Sequence, residues 1–114
     1  MSVKSFLSEI EFNPSKPSVQ LILETAFTKE IRISFLEGQL MKEHKSSFPI
    51  IIQVLTGNIS LTVDEEKLEL SSGDLISLAG NIPHSLFANS QSIVRLSLIK
   101  QDEFERVQNA VNNS

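Results

Sequence analysis

From Gln20 onward, apolar and polar side chains alternate in short runs: Gln20 to Thr25, Ile31 to Leu36, Ile50 to Thr56, Ile59 to Val63, Leu68 to Leu70, Leu75 to Leu78, Ser85 to Ala88 and Ile93 to Ile99. A period of two sends successive side chains to opposite faces, so each run predicts a short strand. Turn formers separate the runs: Gly38, Gly57-Asn58, Asp64-Glu65, Gly73-Asp74, Gly80-Asn81 and Asn89-Ser90, which use all four glycines of the chain. Gly57-Asn58 predicts a two-residue hairpin, because both residue types tolerate the positive φ that a primed turn requires. Evenly spaced short strands joined in this way favour a β-barrel or β-sandwich over any α/β plan.

The ends follow another rhythm. In QDEFERVQNAV, Asp102 is placed to cap a helix, Glu105 stands three residues on, and Phe104, Val107 and Val111 fall on one helical face. Near the start, Val3, Phe6, Leu7 and Ile10 also have helical spacing, but Pro14 and Pro17 follow at once. The chain therefore divides into an N-terminal arm of open form (residues 1–18), a β-barrel (19–100) and a C-terminal helix and tail (101–114).

Composition narrows the functional classes. With 114 residues, 40% apolar and 21% charged, the chain is one globular domain with enough material for a core. The net charge is −4 and the ten basic residues are scattered, so no cationic stripe exists for nucleic acid. The absence of cysteine excludes disulfides, thiolate metal sites and cysteine nucleophiles. No apolar run approaches membrane length and the opening residues do not read as a signal peptide, so the expectation is a cytoplasmic protein without membrane partners. Phosphate-cradling loops and nucleophile-elbow serines are also missing.

The chain has two histidines, each at the mouth of an apolar segment: His44 in KEHKSSFPIII and His84 in NIPHSL. His44 stands six residues after Gly38 and thirteen before Gly57, and His84 stands eleven after Gly73. With GNIPHSL, these residues over about 30–99 resemble the two motifs of the cupin superfamily. That resemblance implies a double-stranded β-helix (jelly-roll) barrel, all-β apart from the short C-terminal helix, and commonly a homodimer. In cupins that carry metal, three imidazoles and a carboxylate converge on a divalent ion. Here the position of one imidazole is Ser46 and that of the carboxylate is Ile50; further departures are Ala79, Asn81 and Ala88. Serine is a poor ligand and isoleucine is none, so the expectation is no resident metal, with His44 and His84 as the two remaining ligand positions.

If the Ile50 position faces inward as the resemblance implies, Ile52 and Val54 face inward too, and Leu86 and Ala88 follow His84. The candidate pocket is then His44, Ser46, Ile50, Ile52, His84 and Leu86, an apolar cavity with a polar mouth. Two imidazoles there resist double protonation through desolvation and mutual repulsion. Arg95, inside the apolar run IVRLSLI, either snorkels outward or supplies a fixed cation for an anionic ligand. Three functions remain in view. The first is a barrel that binds a small organic molecule without catalysis. The second is a metal-dependent oxygenase or isomerase using His44 and His84, and the third is a structural dimerisation module. Metal-free cupin epimerases pair a histidine base with a tyrosine acid, and this chain has no tyrosine.

Overall fold

The alternating runs become antiparallel strands in the computed structural model, which describes residues 1–112. In chain order these are β1 (Ser18–Glu24), β2 (Thr28–Phe35), β3 (Leu40–His44), β4 (Ile50–Thr56), β5 (Asn58–Val63), β6 (Glu66–Ser71), β7 (Leu75–Leu78), β8 (His84–Ala88) and β9 (Ser92–Ile99), followed by α1 (Phe104–Asn112). Residues 113 and 114 of the expected tail lie outside the described residues. The strands form two sheets, ordered β1-β2-β9-β4-β7 and β3-β8-β5-β6. Their inner faces meet in one apolar core. Ile33, Phe35, Ile52 and Val94 come from the first sheet, and Met41, Ile59, Leu61 and Leu86 from the second, all essentially without solvent contact. Each such side chain contributes about 1.5–3 kcal/mol by leaving water, which makes the closed interior the main source of stability.

Two local features depart from the sequence reading. β3 was not among the expected strands, because Leu40-Met41-Lys42-Glu43 offers only one buried position, Met41. Gly57-Asn58 does not close a hairpin either: β4 and β5 belong to different sheets, so these residues carry the chain from one sheet to the other. Glycine is needed at this crossing twice over. Its φ is +96°, and a Cβ there would come within 2.2 Å of the Ser92 hydroxyl and 2.5 Å of the Gln91 carbonyl oxygen. The tight hairpin is β5–β6, where Asp64 (φ 46°) and Glu65 (φ 73°) turn the chain between Val63 and Glu66 in the sense of a primed turn.

The outward row of β2 is polar yet buried: Glu30, Arg32 and Ser34. The N-terminal arm is one of its covers. Arg32, only 3% exposed, donates to the backbone carbonyls of Phe6 (3.1 Å), Ser8 (2.9 Å) and Glu9 (3.2 Å), and also bonds the Gln20 side chain. A buried guanidinium needs acceptors, and here the arm supplies them from its own main chain. Carbonyls turned to Arg32 are not available for a helical ladder, so the spacing of Val3, Phe6, Leu7 and Ile10 yields turns instead of a helix. Gln39 fixes the far end of the arm by donating to the Asn13 carbonyl at 2.7 Å.

The C-terminal helix packs against β1 and β3, edge strands of different sheets, with Val107, Ala110 and Val111 turned into the core. Its anchor is Asp102, which is 3% exposed. The carboxylate accepts from the Ser46 hydroxyl (2.6 Å), from Arg106 Nε (3.0 Å) and Nη2 (2.9 Å), and from the Glu103 amide (2.8 Å). Lys29 donates to its backbone carbonyl. Burial raises the Asp102 carboxyl, but the bonds from Arg106 and Ser46 outweigh it and hold the group below the usual carboxylate range. No helix among the described residues is long and apolar enough to cross a membrane.

Removing the anchor leaves Arg106 and Ser46 without their acceptor. Asp102→Ala should therefore lower stability by about 3 kcal/mol, and Ser46→Ala by about 1 kcal/mol, as read from urea-unfolding midpoints. Equal stability of Asp102→Ala and the parent would show that the helix is held by its apolar face alone.

Candidate functional site

β3 ends on His44 and β8 begins on His84, and the antiparallel register sets the two residues opposite each other. Their rings meet edge to face, with centroids 4.3 Å apart and planes at 60°. Each ring is fixed by its own strand end. His44 Nδ1 donates to the Lys42 carbonyl and His84 Nδ1 to the Ile82 carbonyl, both at 2.9 Å. A carbonyl oxygen can only accept, so the proton sits on Nδ1 and each neutral ring keeps its lone pair on Nε2.

Burial pushes the His44 imidazole down to about 4; the Lys42 bond opposes this, while the His84 ring and the Arg106 charge add to it. His84 is lowered first by burial, against the Ile82 bond, and then by Arg106, with Glu43 acting the other way. Both imidazoles are neutral at pH 7.

The space behind them is small. A cavity of about 10 Å³ is lined by Ile33, Met41, Ile52, Leu86 and the two imidazoles among others, room for about one water molecule. Of the candidate pocket residues, His44, Ile52, His84 and Leu86 come together here. Ile50 is buried farther along β4, opposite Leu78 and Leu98. Ser46 is buried against Asp102, away from the cavity. Arg95 lies between the buried Val94 and Leu96 and faces the outer side of the sheet, where it bonds Glu30 at 2.9 Å. Ser97 donates to the same carboxylate at 2.5 Å, so the Arg95 charge is matched on that outer face.

A larger space opens outside the barrel. Lys42, Glu43 and His44 at the end of β3, with Arg106, Asn109 and Ala110 of α1, line a groove of about 400 Å³. His44 thus belongs to both the inner cavity and the groove. Arg106 was absent from the residues singled out by sequence; its signal is the four-residue step from the capping Asp102, which ties the guanidinium to the helix start. Arg106 Nη1 is buried without a hydrogen-bond partner among the described residues.

The residues do not fit the metal centre that the motifs imply. Among the described residues no group of three or more His, Asp or Glu side chains is placed to hold an ion. The carboxylate position is Ile50, and the Arg106 charge acts on both imidazoles, which disfavours a cation beside them.

Comparison with known proteins agrees with the architecture. The family model described as "Cupin domain" matches residues 32–100. An RmlC-like cupin protein from Desulfovibrio desulfuricans superposes with a TM-score of 0.80 at 20% identity, over 87% of this chain and 96% of that one. A conserved protein of unknown function from Streptococcus pyogenes gives 0.75 at 20% identity over 90% of both chains. KdgF from Halomonas sp. gives 0.72 at 19% identity, over 81% of this chain and 86% of that one. No curated protein sequence matches.

A histidine whose folded pKa lies below its unfolded value binds more protons in the unfolded chain. Stability then falls as pH drops from about 6.5 towards 4. Urea midpoints measured across this window should decline in the parent and decline less in His44→Gln. In imidazole NMR titrations, His44 should hold its neutral shifts down to about pH 5; a midpoint near 6.5 would show an open, solvated ring.

Proposed function

Given that this chain belongs to the cupin family, we propose that it binds a small organic molecule without a resident metal, at the groove between β3 and α1. The observation that carries this reading is the lining of the groove: the neutral His44 imidazole, the Arg106 guanidinium, Lys42, Glu43 and Asn109, with no group of three or more His, Asp or Glu side chains placed to hold an ion among the described residues. Such a set supplies hydrogen-bond donors and acceptors for a polar ligand, whereas a divalent ion would need compensating negative charge. The interior, with room for about one water, takes no organic molecule, so the ligand sits outside the barrel and touches His44 from the groove side. In this reading the apolar interior serves as a rigid support that fixes the two rings, and the binding contacts come from strand end and helix. Binding of this kind requires no bond-making step, and we infer no catalysis.

A second reading, a homodimerisation module, is favoured by β7, an edge strand with Leu75 exposed and Ile51 exposed on the adjoining β4. The two readings are compatible, since a dimer joined through β7 would leave the groove beside β3 open. We place the protein in the cytoplasm on its acidic, cysteine-free composition.

Elemental analysis of untagged protein purified without chelator should find metal well below one equivalent per chain. Thermal-shift measurements with small polar metabolites should find at least one that raises Tm in a concentration-dependent way. One equivalent of a bound transition metal would overturn the metal-free reading. A chain whose Tm no small molecule moves would leave dimerisation as its role.

A further inference from the structure

Phe27, on the turn between β1 and β2, is 72% exposed, yet its backbone is fixed. Its amide donates to Thr25 Oγ1 at 3.1 Å, and its carbonyl accepts from the Lys100 amide at 3.0 Å. A single apolar side chain in water needs no explanation. Phe27, however, has a counterpart close by.

The next residue, Thr28, lines an open pocket of about 200 Å³ that reaches Ile51, Ser77 and Ser97 on the outer side of the larger sheet. Pro49, Leu98 and Ile99 supply further apolar wall, and no residue of the lining is charged. A cavity of about 150 Å³ takes a benzene ring, so a pocket of this size takes the phenyl ring of a phenylalanine. Phe27 is too exposed to be the occupant in its own chain. Apolar surface also continues from the pocket to the sheet edge: Ser77 belongs to β7, and Leu75, which faces the same way two residues earlier, is 59% exposed. A knob and a hole at one end of one molecule are the elements of an isologous contact, in which each copy gives and receives the same group.

Charge points to the same partner. Around a two-fold axis a patch meets its own replica, so an unmatched charge on it meets its like. Here Arg95 is matched by Glu30 and Lys100 by Glu24 within each chain. The uncharged pocket offers a strongly acidic or basic partner no ion to pair with, whereas the aromatic ring that fits it is carried by this chain itself.

Resting on the dimerisation reading above, we propose that the covering partner is a second copy of this chain, docked so that Phe27 of each protomer fills the pocket between β4, β7 and β9 of the other. Aromatic side chains are enriched in such contacts, and a turn already fixed by hydrogen bonds loses little freedom on docking. The contact is made twice, once on each side of the axis.

Sedimentation equilibrium of the full chain should show a dimer. Phe27→Ser removes the knob, and Ile51→Lys brings a charge into the pocket; both positions are exposed, and urea midpoints close to that of the parent check that the barrel is intact. Each variant should weaken the dimer about hundredfold or more, because both symmetric contacts are lost. Mixed in equal amounts, the two variants should form a heterodimer: Phe27 of the Ile51→Lys chain meets the intact pocket of the Phe27→Ser chain, which restores one of the two contacts. A mixture that associates no more tightly than either variant alone would overturn the reciprocal docking. Variants that dimerise as tightly as the parent would overturn it as well, while leaving dimerisation itself in place. A parent that sediments as a monomer at all concentrations measured would end the dimerisation reading and this contact together.

Discussion

A carboxylate taken out of water must be met by donors on every side or lose its charge, and Asp102 is the place where this chain faces that requirement. Its oxygens collect the Ser46 hydroxyl from the β3–β4 loop, the Arg106 guanidinium one helical turn on, and the Glu103 amide at the start of α1. Lys29 of β2 adds a bond to the adjacent carbonyl. Loop, helix and strand are thereby tied at one point. The position of α1 across β1 and β3, the orientation of Arg106 and the shape of the groove all follow from it.

The interior of the barrel explains why chemistry is found at its rim. Branched aliphatic side chains from both sheets fill the space so closely that only about 10 Å³ remains behind the histidines. Ile50, at the position where the cupin motif implies a carboxylate, belongs to that packing and offers no ligand atom. The imidazoles remain because the register of β3 and β8 places them opposite each other and their strand ends supply a carbonyl to each Nδ1. His84 is buried and His44 half-buried, and both are held uncharged, which is the form a low-dielectric site tolerates.

Much of this was legible in the sequence, for physical reasons that differ by element. Strands with one face in the core, such as Ile50 to Thr56, announce themselves by alternation, and the helical stripe of Phe104, Val107 and Val111 is equally plain. The inward facing of Ile52, His84 and Leu86 followed from parity once the family motif fixed one position. β3 was hidden because a strand with a single buried side chain has no alternation to read. The Gly57 turn was misassigned because positive φ serves a sheet-to-sheet crossing as well as a hairpin, and only tertiary pairing distinguishes them. The role of Ser46 depended on Asp102, far away in sequence, and so did the part of Arg106. Arg95 could be placed only by knowing that Glu30 and Ser97 lie beside it on the outer face. Local pattern reports which face a residue takes; it does not report which distant partner waits there.

The strand order also has a consequence for synthesis. β9 lies between β2 and β4, pairing with both, although it is the last strand of the chain. As the polypeptide emerges from the ribosome, the β1–β2 and β5–β6 hairpins close from neighbouring residues, but the middle of the larger sheet stays empty until residues 92–99 are released. The facing edges of β2 and β4 are exposed throughout that interval. Completion of the barrel is therefore a late, long-range event whose rate is governed by chain closure, and the nascent protein passes through a stage with two unpaired edges open to other chains.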